Sequence, residues 1–303
     1  MGRRDKPVRP LKEFTLKKRR FRFSKAPLER LLAHDKELPG TTERTDQAPP
    51  PPENDAAAEA AENQPVLASA ALTDIGLVRA NNQDTPLNAS PVFGVCDGMG
   101  GHRGGEIASA LAAEVLLAAL QPQSPSSAAL SEAVTAANRA VFDKAQADEE
   151  LSGMGTTLTV VWMSPEEAYI AHVGDSRCYL LRGGELRQLT DDHSIVMEMV
   201  RAGIITPEQA EGHPMRNIIT RAVGTDETVE ADLLSERRAP DDVWLICSDG
   251  LHGMVSEDFI RETLSAEGRS PEKAARILLD AALAAGGRDN VSVVVVYDGE
   301  GCA

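Results

Sequence analysis

Aromatic residues make up only 4% of this 303-residue chain, and no apolar run reaches the roughly 18 residues that cross a bilayer. A transmembrane segment is therefore not expected. The arginines near the start are not followed by the apolar core of an export signal, so the expected location is the cytoplasm. Cysteine is sparse: Cys96, Cys178, Cys247 and Cys302 contain no C-x-x-C pair. Such spacing builds neither a zinc site nor a disulfide framework. Cys96 and Cys247 lie inside apolar runs and read as small hydrophobes in a reducing compartment. The body of the chain lacks positive charge above all. Residues 1–44 hold 14 Lys/Arg against 6 Asp/Glu, the rest holds 17 against 41, and the total is −16. That balance argues against nucleic acid as the main ligand, because phosphate contacts need cations. It suits divalent metal ions.

Residues 1–64 differ from the remainder. "KKRRFRF" (17–23) is a basic run, "QAPPPPEND" (47–55) is proline-rich, and "AAAEAAENQ" offers too few large side chains to bury. This stretch reads as a disordered arm and linker. Its basic run is either a docking element for an acidic partner, a membrane surface or nucleic acid, or simply a solvated charged tail. A folded domain is expected over 65–298, with a short tail at 299–303.

Within that domain the spacing predicts helices over 105–120, with Ile107, Leu111, Val115 and Leu116 as the apolar face, and over 128–146. β-branched runs predict strands at 156–163 and 168–174, and Gly183-Gly184 predicts the tight turn of a hairpin over 178–189. Ser270 and Pro271 form a helix start, with Gly286 as its stop. Strands thus come in adjacent groups between helices, which favours antiparallel sheets over a strictly alternating βαβ fold.

"VFGVCDGMGG" (92–101) begins as a buried strand and ends on a carboxylate, Asp97. "VWLICSDGL" (243–251) repeats that grammar with Asp249. Asp289-Asn290 stands immediately before "VSVVVVY" (291–297), Asp175 follows the strand in "AHVGDSR", and Asp84 closes "NNQD". A single Asp-Gly usually marks a turn. Several carboxylates at the rims of buried strands would repel one another unless a cation sat among them. Oxygen ligands of this hardness select Mg²⁺ or Mn²⁺.

Six stretches, "GLVRANNQD" (76–84), "VCDGMGGHRGGE" (95–106), "GMGTTLTVV" (153–161), "HVGDSR" (172–177), "CSDGL" (247–251) and "RDNVSVVVV" (288–296), occur in the order found in the metal-dependent PP2C-type (PPM) serine/threonine phosphatases. The chain resembles the bacterial branch of that family over about residues 66–298. The resemblance implies an α+β fold, a four-layer αββα sandwich with two central antiparallel sheets. It also implies two Mn²⁺ or Mg²⁺ ions, with room for a third. By resemblance Asp97 bridges the two metals, the carbonyl of Gly98 binds one, and Asp249 and Asp289 complete the protein ligands. Asp84 acts mainly through metal-bound water, Asp175 with Asp249 holds a weaker third ion, and Arg79 grips the substrate phosphate. The nucleophile is then a hydroxide bridging the metals, and the substrates are phosphoserine and phosphothreonine proteins, targets of a bacterial Ser/Thr kinase.

Two departures stand out. Gln83 occupies a position where many relatives have Glu, which removes one negative charge beside the metals. Met99 stands where animal relatives carry a His, leaving His102 or a bound water as a source of the leaving-group proton. His193 and His213, in the segment 190–224 that includes a mobile flap in bacterial relatives, are expected to be ordinary surface residues. "MEMV" (197–200) is expected to pack. Two other readings stand beside the active phosphatase: a non-catalytic module that keeps the fold for binding, and a two-metal nuclease. Retention of every matched aspartate speaks against the first, and the acidic body against the second.

Overall fold

The computed structural model describes residues 67–299 except 101–103 and 267–269. The arm and linker, His102 and Cys302 lie outside the described residues. Two antiparallel sheets form the centre. One orders β1 (Leu67–Asp74), β11 (Val291–Asp298), β10 (Val243–Cys247), β7 (Arg177–Arg182) and β8 (Glu185–Gln188). The other orders β2 (Asp84–Ala89), β3 (Val92–Met99), β5 (Leu158–Met163), β6 (Glu167–Val173) and β9 (Asp232–Arg237), with the two-residue β4 (Gly155–Thr156) added to β3.

The continuous apolar runs follow from burial of both faces of each sheet. Along β10, Trp244 and Ile246 point into a core shared with Phe93 and Val95 of β3 and with Val294 and Val296 of β11, so the sheets pack face to face. Val243, Leu245 and Cys247 point the other way, towards α6 (Glu257–Ser265) and α7 (Pro271–Ala284). On the far side of the second sheet, Val92 and Cys96 join a core with α1 (Gly104–Leu120) and α2 (Ser127–Ala147). The result is the αββα sandwich expected above. Gly183 and Gly184 have φ of 59° and 84°, as the β7–β8 turn requires. Ser270 caps α7 by accepting from the Lys273 amide, with Pro271 in its first turn.

Three local expectations are corrected. Of the four apolar positions expected in α1, Leu116 is buried, together with the small residues Ala108 and Ala112, while Ile107, Leu111 and Val115 are only partly covered. Gly104 and Gly105 at its start are buried against neighbouring backbone, which sets the helix close to the sheet and puts the small side chains inward. The strand expected over 156–163 is interrupted at Thr157, whose amide and hydroxyl both turn to Asp97. Asp249 does not end a strand but opens the short helix α5 (Asp249–His252), reached through Ser248.

Candidate metal centre

Antiparallel pairing brings the singled-out aspartates to one end of the sandwich. Asp97 lies near the end of β3, directly opposite Asp84 at the start of β2. β6 runs parallel to β3 through β5, so the turn after it carries Asp175 to the same end. In the other sheet β10 ends and β11 begins there, which places Asp249 and Asp289 on that rim. Asp84 is buried, and Asp97, Asp175, Asp249 and Asp289 are half-buried.

Backbone packing fixes the rim. A Cβ on Gly98 would lie 2.0 Å from the Gly105 carbonyl oxygen and 2.6 Å from that of Gln83. Only glycine lets the three segments meet, and the Gly98 amide donates to the Gln83 carbonyl at 3.0 Å. The Asp97 amide donates to Thr157 Oγ1 at 2.9 Å, while its carbonyl accepts from Thr157 N and Thr156 Oγ1. Asn290 ties three stretches together: Nδ2 donates to the carbonyls of Ile75 and Asn81, and Oδ1 accepts from the Gln83 amide. The loop carrying Arg79 is thereby attached to the turn that leads from Asp289 into β11. Arg79 donates from Nη2 to Asp289 Oδ2 at 2.6 Å, and this ion pair raises its already high pKa.

The carboxylates are poorly compensated. Ser248 Oγ accepts from the Ser292 amide and donates to Asp84 Oδ2 at 2.8 Å. Asp84 Oδ1 has no partner, and neither has Asp249 Oδ1, although both atoms are buried. Loss of solvent pushes Asp84 up to about 6, against the pull of its hydroxyl partners. Burial, then the neighbouring Asp175, Asp289 and Asp84, push Asp249 up to about 8. Burial and Asp192 push Asp175 up to about 6. Asp97 is held well above the usual carboxylate range by burial and by Asp84, Asp249, Asp175 and Asp289. Among the described residues no three His, Cys, Asp or Glu side chains already close into a cage. The aspartates form a repelling ring whose members sense one another. Two orphaned buried carboxylate oxygens in a ring of hard ligands fit divalent cations of the Mg²⁺ or Mn²⁺ kind.

Sequence reasoning passed over the residues that hold these aspartates. Ser248, Thr157 and Asn290 each stand next to a singled-out motif residue or inside a quoted motif, and that adjacency was the available signal. His252, one turn beyond Asp249, donates from Nε2 to the Asp175 carbonyl at 3.0 Å, and burial keeps its ring neutral. His193 is not a surface residue: it is 1% exposed, its Nδ1 accepts from the Gly174 amide at 3.1 Å, and its Nε2 lies 3.1 Å from Asp232 Oδ2. It fastens the base of segment 190–224 to the turn that carries Asp175. That segment holds α3 (Ile195–Arg201) and α4 (Pro207–Glu211), the latter opened by a Thr206–Gln209 capping box. His213 is half-buried, and Met197, Met199 and Val200 are partly covered.

One prediction arises from Ser248. Ser248→Ala removes the hydrogen bond that Ser248 Oγ donates to Asp84 Oδ2, so that carboxylate loses a support for its orientation. Mn²⁺ affinity measured by calorimetry should fall about 10- to 100-fold, the usual cost of losing a supporting partner of a metal site. Ser248→Thr, which keeps the hydroxyl, should restore most of it.

A model of the protein phosphatase 2C family matches residues 80–285. Arg79 and Asp289 fall just outside that span, joined to each other by their ion pair. A serine/threonine protein phosphatase PstP of Mycobacterium tuberculosis is 44% identical over 235 residues, 76% of this chain and 45% of the relative. The chain thus spans less than half the length of that relative. A serine/threonine phosphatase stp of Listeria monocytogenes is 38% identical over 235 residues, covering 74% of this chain and 93% of the relative. A crystal structure of the PstP catalytic domain in complex with two manganese ions superposes with a TM-score of 0.71 at 40% identity, covering 78% of this chain and all of that one.

Proposed function

The chain belongs to the protein phosphatase 2C family, and from that premise we propose that it is a metal-dependent protein serine/threonine phosphatase. Its substrates are phosphoserine and phosphothreonine proteins, and it opposes a bacterial-type Ser/Thr kinase and that kinase's targets. The observation that carries this reading is the pair of buried, unpartnered oxygens, Asp84 Oδ1 and Asp249 Oδ1, within a ring of mutually repelling aspartates beside an arginine.

Asp97, the Gly98 carbonyl, Asp249 and Asp289 would hold two Mn²⁺ or Mg²⁺ ions, with Asp97 common to both. Asp84 would act through water, and Asp175 with Asp249 would take a weaker third ion. When bound, the ions supply an activated water as nucleophile and neutralise charge on the phosphoryl oxygens. The chain's own residues do the rest. Thr156 and Thr157 hold the Asp97 backbone, Asn290 holds the loop of Arg79, and Arg79 offers forked donors for two phosphoryl oxygens. No described helix is long and apolar enough to cross a membrane, and the buried free thiols of Cys96, Cys178 and Cys247 suit a cytoplasmic setting. The domain over 65–298 is the catalytic unit.

The test is a side-by-side assay with Mn²⁺ on a phosphothreonine peptide and on DNA. Phosphate release from the peptide alone, abolished by chelator and recovered on adding metal, is the expected result. Peptide binding without turnover would favour a non-catalytic module, and cleavage of DNA a nuclease. Metal should also raise the melting temperature, because ions bind the folded state preferentially.

A further inference from the structure

Leu77 and Val78 are the most exposed large hydrophobic residues among those described, each at 69%. Their loop is firmly held. The Leu77 amide donates to the Gly287 carbonyl at 2.7 Å, the Gly76 amide donates to Asp74 Oδ1 at 2.8 Å, and Asn290 takes the carbonyls on either side, at Ile75 and Asn81. Gly76 has φ of 77° and lies against the Asp289 backbone, where a Cβ would be 2.2 Å from the carbonyl oxygen. A loop pinned this closely keeps two adjacent branched apolar side chains in water. Scattered exposed hydrophobics need no explanation, but an adjacent pair on a fixed loop beside a binding residue marks a contact surface.

The next residue is Arg79, paired with Asp289. Consecutive Cα atoms are about 3.8 Å apart, and an extended peptide advances about 3.3 Å per residue. With a phosphoryl group at Arg79, Val78 and Leu77 therefore lie within reach of side chains one or two positions from the phosphorylated residue. Resting on the phosphatase reading above, we propose that Leu77 and Val78 form a specificity subsite for a large apolar side chain within two positions of the phosphorylated residue.

The experiment compares the native protein with a Leu77→Ser/Val78→Ser double variant, both with Mn²⁺. Substrates are p-nitrophenyl phosphate and phosphothreonine peptides that differ only in carrying Leu or Gln at each of the two positions on either side. The native protein should prefer Leu over Gln at one or more positions by about tenfold in kcat/KM, a size typical of a modest apolar contact. The double variant should lose that preference through KM, while its turnover of p-nitrophenyl phosphate, which has no flanking residue, moves less than twofold. Because Leu77 lies against Gly287, Val78→Ser alone serves as a second variant, with a partial loss expected. A flat peptide panel for the native protein, or a preference kept by both variants, overturns the inference. So does a native dimer that becomes monomeric in the variant with peptide kinetics unchanged, which would make the patch a self-association face. Absence of p-nitrophenyl phosphate turnover in the native protein instead overturns the phosphatase reading, and this subsite with it.

Discussion

Asp97→Asn is expected to give a protein that melts higher than the native chain in chelator at about pH 8, yet hydrolyses phosphopeptide at least about a thousandfold more slowly with Mn²⁺. The two effects have one cause. In the metal-free fold, burial first and then the four neighbouring aspartates oppose ionisation of Asp97. An amide of the same shape removes that burden, and at alkaline pH the relief should appear as a few degrees of melting temperature. The same change removes the carboxylate proposed above to serve both ions, and a thousandfold loss corresponds to about 4 kcal/mol of transition-state stabilisation. Calorimetry in chelator and in Mn²⁺, together with initial rates, checks both halves. A variant that melts lower than the native chain in chelator and keeps its Mn²⁺-dependent rate would remove Asp97 from the centre.

A purely structural role for the ring predicts the opposite pattern. If Asp97 were there to accept hydrogen bonds, its loss would destabilise the fold at every pH. The bonds that tie Asp97 to Thr156 and Thr157 are made by its main chain. Those survive the substitution.

Much of this arrangement was legible in the chain, for a physical reason. Strands covered on both faces must be apolar at every position, so β3, β10 and β11 stand out as unbroken runs, and an aspartate at the end of such a run is conspicuous. β1 and β9 did not stand out. "LASAALTD" is made mostly of small residues and "DLLSER" is mostly polar, because each lies at a sheet edge with one neighbour and is only partly covered. The burial of α1 was misread at Ile107, Leu111 and Val115 because, apart from Leu116 and Leu120, its inward face is made of small residues, chosen for closeness and not for hydrophobic bulk. His193 was misread because a histidine that holds a turn by its ring nitrogen carries no spacing signal in the chain. The supporting hydrogen bonds of Ser248 and Asn290 join residues 164 and 207–215 positions apart, a relation that only the folded chain reveals.

Stability in chelator should fall as pH rises from about 5 to about 8, and Mn²⁺ should reverse the slope. An unfolded aspartate titrates near 3.8, whereas in the fold Asp84 and Asp175 are pushed up to about 6 and Asp249 to about 8. Between those values the folded state binds more protons than the unfolded one, so unfolding free energy decreases with pH. The contribution of these groups is complete below the unfolded value. It is lost through pH 6 for the first two and through pH 8 for Asp249. A divalent ion competes with the same protons, so its affinity, and the stabilisation it confers, grow as the carboxylates ionise. The difference in melting temperature between Mn²⁺ and chelator should therefore widen by about 5 °C or more over this range. Taking the difference cancels titrations elsewhere that metal does not touch. A gap that stays constant with pH would mean that the ion does not displace protons from these aspartates, and its site would have to be sought elsewhere.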